Sequence, residues 1–174
     1  EPFKVYSPNG KFFIQMIPRE EGYGSNVGNG KAFAVGSRQA LWEVDWYEHN
    51  LVLSNDGVYL IRIGSWGSDE SQFTDFAVGF YKNGRELKTY QVKDVLQNKE
   101  AVVKTVSHYF WQGDGMPSVT SFSVRSAGKA RKPKPPKLGE SGLSADGSRY
   151  TLYLVDGSGY VFDVDTGSIV EKQA

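Results

Sequence analysis

The sequence is expected to fold as an all-β domain of antiparallel, propeller-blade-like sheets, and three observations carry that expectation. Twenty glycines accompany ten tyrosines, ten phenylalanines and four tryptophans, a composition that favours strands and tight turns over helices. One turn recurs as Ser7-Pro8-Asn9-Gly10, Ser54-Asn55-Asp56-Gly57 and Ser144-Ala145-Asp146-Gly147, each time opening an aromatic-rich apolar run. The starts at 7, 54 and 144 lie 47 and 90 residues apart, one and two steps of about 45 residues, which is the period of stacked or radial β repeats.

The elements follow in order. Phe12-Phe13-Ile14-Gln15-Met16-Ile17 is a short apolar strand ending at Pro18, whose missing N–H cannot serve a central ladder. Residues 19–31, charged and glycine-rich, read as a loop or wide hairpin before Ala32-Phe33-Ala34-Val35. In Leu41-Trp42-Glu43-Val44-Asp45-Trp46 the period is two, with Trp42, Val44 and Trp46 on one face and Glu43 and Asp45 on the other, as in a half-buried strand. Val58 to Ile63 and Phe76 to Tyr81 are further apolar runs. Asn83-Gly84 then joins the second of these to Leu87–Val92, since both residues readily take φ > 0 in a type I′ hairpin turn. Residues 92–98 offer one or two helical turns. Residues 102–106 and 108–111 form one bent strand or two, and 119–124 another. The segment from Arg125 to Lys137 has six basic residues, three prolines and no acid, which describes an extended solvated loop reaching to about residue 140. Tyr150–Leu154, Tyr160–Val164 and Ser168–Val170, separated by Asp156-Gly157 and Asp165-Thr166-Gly167, close the chain as a meander.

At 174 residues a single domain spanning 1–174 can bury roughly 70% of its unfolded surface. Lysine plus arginine equals aspartate plus glutamate, 20 each, so no whole-chain field draws nucleic acid. No stretch reaches the roughly 20 apolar residues of a membrane-spanning helix. The absence of cysteine excludes disulfides, thiol nucleophiles and cysteine-ligated metals. The first residue, Glu1, with no leader before it, reads as the start of a mature exported protein, periplasmic or secreted.

The Ser54–Gly57 and Ser144–Gly147 openers, together with Tyr160-Val161-Phe162-Asp163-Val164-Asp165-Thr166-Gly167-Ser168-Ile169-Val170, resemble blades of bacterial β-propellers of the WD-repeat and Tol-type classes. The resemblance implies antiparallel blades presenting a binding surface. About 45 residues per blade leaves fewer than the usual minimum of about four blades, so a partial propeller or open stack is expected, with a two-sheet β-sandwich as the alternative.

Candidate site residues divide into two groups. Glu43, Asp45 and Glu48, beside His49, are the densest acidic group, and alternation sets the first two about 7 Å apart, within range of a two-carboxylate glycosidase. Among the aromatics Trp66 stands out, because a large ring between Gly64-Ser65 and Gly67-Ser68 lacks strand packing; Trp46, Tyr47 and Trp111 are the other binding candidates. Asp163–Gly167 is short of calcium ligands, two histidines alone make no zinc site, and no Gly-x-Ser-x-Gly elbow occurs. No cofactor or metal is expected. The function expected is therefore a non-catalytic binding domain of an exported bacterial protein, with a protein or a glycan as partner. The alternatives are a carbohydrate-active hydrolase using Glu43, Asp45 and Glu48, and a subunit of an obligate assembly that closes against its own copy.

Overall fold

A computed structural model describes residues 1–19, 27–65, 67, 73–104, 108–113 and 140–173. Three four-stranded antiparallel meanders make up most of it. The first sheet is β1 (Phe3–Tyr6), β2 (Phe12–Pro18), β3 (Val27–Ala34) and β4 (Trp42–Trp46); the second is β5 (Leu51–Leu53), β6 (Tyr59–Ile63), β7 (Phe76–Lys82) and β8 (Arg85–Gln91). After α1 (Val92–Val95), a 3₁₀ turn (Lys99–Ala101) and the two-stranded pair β9 (Val103–Lys104) and β10 (Tyr109–Phe110), the third sheet runs β11 (Gly142–Leu143), β12 (Arg149–Tyr153), β13 (Gly159–Asp163) and β14 (Ile169–Gln173). The fold is an open stack of blade-like sheets, not a two-sheet sandwich. No helix among the described residues is long and apolar enough to cross a membrane.

The recurring turn joins the first and second strands of each four-stranded sheet. Around Ser54 it is closed by Ser54 N–H to Tyr59 O (2.9 Å) and Gly57 N–H to Ser54 O (3.1 Å). Ser54 Oγ donates to Asp56 Oδ1 (2.5 Å), which also accepts from Val58 N–H (3.0 Å), while Ser54 Oγ accepts from Tyr59 N–H (2.8 Å). The same bonds recur around Ser7 with Asn9 in place of the acid, and around Ser144 with Asp146. Gly10, Gly57 and Gly147 have φ of 70°, 73° and 77°, a region that side-chain-bearing residues avoid. The Asn83-Gly84 hairpin has φ of 49° and 76°, as its type I′ turn requires.

Four strands differ from expectation. β3 begins at Val27, inside the segment expected as a loop or wide hairpin, and pairs antiparallel with β2, because Gly28 and Gly30 let strands approach where a Cβ would stand 2.4 Å from Ile17 O and 2.5 Å from Met16 Sδ. The short leading strands β1, β5 and β11 precede the turns and have too few residues to show a period. The expected strand at 119–124 and the basic segment 125–139 fall outside the described residues.

The second sheet is covered on both faces. Leu51, Leu53, Leu60 and Tyr81 pack on Ile14, Met16 and Val44 of the first sheet. Ile61, Ile63, Val78 and Phe80 pack on Tyr150, Leu152, Tyr160 and Phe162 of the third. Between sheets two and three, residues 108–113 act as a clip: Trp111 Nε1 donates to Ser65 O (3.0 Å), and Val155 N–H donates to Trp111 O (3.1 Å).

Two outcomes are expected. Gly10→Ala and Gly57→Ala impose the same backbone strain, about 1 kcal/mol. Only at Gly57 does the added Cβ meet a neighbour, Phe12 Cδ1 at 2.5 Å, so urea unfolding should show Gly57→Ala costing about 2 kcal/mol more. Hydrogen bonds from Ser144 Oγ, then Ser148 N–H and Oγ, lower the Asp146 carboxyl from 3.8 to about 2. Its contribution to stability is therefore complete above pH 3.8 and lost as pH falls toward about 2; NMR titration should find that midpoint, and Ser144→Ala should raise it.

Candidate functional site

A groove of about 770 Å³ opens between the first and second sheets, beside the Ser54 turn and the Asn83-Gly84 hairpin. Phe12, Leu41 and Trp42 line it from the first sheet, and Val58 and Leu87 from the second. Leu41 is 52% exposed and Leu87 38%, so the groove presents aliphatic surface to solvent. Its polar lining is Asp56, Lys82, Asn83 and Arg85.

Most of those polar groups are already engaged. Asp56 closes its own turn, and Trp42 Nε1 donates to Gly57 O (2.8 Å). Lys82 Nζ reaches Asp165 Oδ1 at 3.0 Å in the third sheet, and the Tyr59 hydroxyl donates to the same oxygen. Hydrogen bonding with Tyr59 first, and with Asp165 second, raises the Lys82 pKa; Tyr59 and then Lys82 lower that of Asp165. Arg85 has no ion-pair partner among the described residues. It is the cation the groove has to offer.

The acidic candidates do not share a cleft. Glu43 and Asp45 are exposed on the outer face of the first sheet, Glu43 facing Lys31 at 3.5 Å. Glu48 is 1% exposed in the four-residue crossing from β4 to β5. Its Oε1 accepts from His49 N–H (2.9 Å), and its Oε2 lies 3.7 Å from Arg62 Nε. The Arg62 guanidinium is held between the rings of Trp46 (4.6 Å) and Phe76 (4.4 Å). Burial, then the Glu48 charge, raises the Tyr47 pKa; burial also raises that of Tyr81, against a smaller lowering by Arg62.

The aromatic candidates are packing residues where they are described. Trp111 is 1% exposed and Tyr47 7%, and the Trp46 ring packs at a tilt against Tyr81, 5.1 Å between centroids. Trp66 lies outside the described residues. No group of three or more His, Asp or Glu side chains among the described residues is placed to hold a metal ion. The groove residues Leu41, Leu87 and Arg85 were not candidates from sequence, although Leu87 is the lone aliphatic residue in the polar strand Arg85–Gln91.

No family model matches the sequence, and no curated protein matches it. A crystal structure of a eukaryotic initiation factor is similar in fold, with a TM-score of 0.51 over 97% of this chain at 14% identity. The chain spans 31% of that structure's length. This arrangement of sheets thus occurs as about a third of a longer chain.

The buried ion pair yields a test. Arg62→Met leaves the Glu48 carboxylate buried and uncompensated, at an expected cost of about 3 kcal/mol. Adding Glu48→Gln should recover part of that loss in urea unfolding, since the double variant buries no charge.

Proposed function

We propose that this chain is a non-catalytic interaction domain that holds an extended, acidic segment of a partner protein in the groove between the first and second sheets. The carrying observation is exposed Leu41 and Leu87 beside Arg85, which has no ion-pair partner among the described residues. Aliphatic surface beside a cation without an ion-pair partner among the described residues suits a peptide carrying apolar and acidic side chains. A glycan would call for an open aromatic face, whereas Trp42 is half-buried with its N–H engaged. β8 is the outer strand of its sheet, and such an edge offers backbone groups to an extended chain. The dispersal of Glu43, Asp45 and Glu48 supports a non-catalytic reading over a hydrolase. The exported bacterial setting belongs to the same proposal and rests on the resemblance to bacterial propeller blades.

Selection from a displayed random-peptide library tests this. Recovered peptides should combine aliphatic and acidic residues. Leu87→Asp should weaken them at least tenfold, Arg85→Glu should weaken them and remove their salt dependence, and Glu43→Gln should leave them unchanged. Recovery of no peptide, or binding indifferent to both groove variants, would overturn the reading. Hydrolysis of a polysaccharide that Glu43→Gln abolishes would favour the hydrolase instead.

A further inference from the structure

We infer that Asn83 is a deamidation site of the folded chain, and that its conversion to aspartate or isoaspartate charges the groove between the first and second sheets. The modification stands on its own geometry; its effect on a bound peptide rests on the groove reading above.

The reaction needs an asparagine amide and the backbone nitrogen of the next residue. That nitrogen attacks the side-chain carbonyl carbon, a C–N bond forms, the amide nitrogen leaves as ammonia, and a succinimide ring closes. Water, the only co-reactant, then opens the ring at either carbonyl to leave aspartate or isoaspartate. A following glycine leaves the attacking nitrogen uncrowded, having no Cβ. The chain has three Asn-Gly pairs, each followed by a basic residue: Asn9-Gly10-Lys11, Asn29-Gly30-Lys31 and Asn83-Gly84-Arg85. Their local sequences are alike, so the fold decides between them.

Asn9 is tied at both reacting groups. Its Oδ1 accepts from Ser7 Oγ (2.8 Å) and Lys11 N–H (3.0 Å), its Nδ2 donates to Asn55 O (2.7 Å), and Gly10 N–H donates to Ser7 O (2.9 Å). Asn29-Gly30 lies inside β3, where buried Gly30 is in register with Met16 of β2 and Val44 of β4. A succinimide there would have to break an inner strand from both neighbours. Asn83 instead stands exposed at the tip of the β7–β8 hairpin. Its side chain makes no hydrogen bond among the described residues, and Gly84 N–H donates to no backbone carbonyl among them. The tip is held through Asn83 N–H to Val58 O (2.8 Å). It can open without unpairing the strands behind it, so the amide and the Gly84 nitrogen meet in a local fluctuation.

The position gives the change a consequence. Asn83 lines the groove together with Lys82 and Arg85. Deamidation turns a neutral amide there into a carboxylate near Arg85, and that carboxylate competes with an acidic side chain of a bound peptide for the guanidinium. The groove thus weakens as the molecule ages.

Peptide mapping by mass spectrometry tests the site, on the full chain incubated in mildly alkaline buffer both folded and in urea. In the folded chain Asn83 should lose its amide about tenfold faster than Asn9 and Asn29, or more, with isoaspartate in the product as the mark of the succinimide. In urea the three should convert at similar rates. Asn83→Gly, which keeps the left-handed turn, should abolish the folded chain's drift to a more acidic species on ion exchange. Asn9 or Asn29 converting as fast as Asn83 in the folded chain, or an Asn83 amide that survives there while it is lost in urea, would overturn the site. Asn83→Asp also suits this turn and should bind the selected aliphatic and acidic peptides about threefold more weakly. Unchanged binding would overturn the effect on the groove, whereas failure to select any peptide would overturn the groove reading while the mass result still decides the site.

Discussion

Everything in this fold hangs on a middle sheet whose inner strands, β6 and β7, are covered on both faces. Successive residues of a strand point to opposite faces, so a sheet covered twice needs apolar residues at consecutive positions. β6 and β7 have them. Leu60 and Tyr81, partners in register, face the first sheet, and Ile61 and Phe80, the next pair, face the third. The end sheets need only one such face. The outermost strand of each four-stranded sheet turns polar, with Glu43 and Asp45 exposed in β4, Arg85, Glu86 and Lys88 in β8, and Glu171 and Lys172 in β14.

The turns convert that burial into a fixed stack. Each Ser-x-Asx-Gly turn is closed by its own Ser and Asx side chains, which fixes the register of the first two strands of each four-stranded sheet. The junctions then use different chemistry at each interface. Paired Asn9–Asn55 bonds and the Trp42 indole join sheets one and two, while Asp165 gathers Tyr59 and Lys82 between sheets two and three. The 90-residue interval before the last turn holds a connecting segment. Its described part, α1 and β9–β10, caps the second and third sheets where they already touch: Trp111 lies in their shared core, and Asp156 accepts from Gln97 N–H (3.3 Å) and Asn98 N–H (3.2 Å).

Features set by a few neighbouring residues were legible in the sequence. Asn83-Gly84 announced its hairpin through backbone preference alone, the alternation of Trp42, Val44 and Trp46 gave the correct inner face, and the last meander followed from its two turns. Features set by distant partners were not legible. Glu48 looks like one more acid in a surface cluster, yet it is buried because Arg62 lies across the sheet junction to meet it. Trp111 reads as one more aromatic of the 108–111 strand, but the carbonyl of Ser65, 46 residues away, holds its indole in the core. The groove joins Leu41 to Leu87 across two sheets, and no local pattern links them.

The doubly covered middle sheet is the central claim, and residue-resolved amide hydrogen exchange tests it most directly. The amides of β6 and β7 should exchange slowest in the chain, opening only with global unfolding, while those of β4 and β14 exchange faster. Exchange from β6 and β7 as fast as from β4 and β14, with either end sheet still protected, would contradict this account.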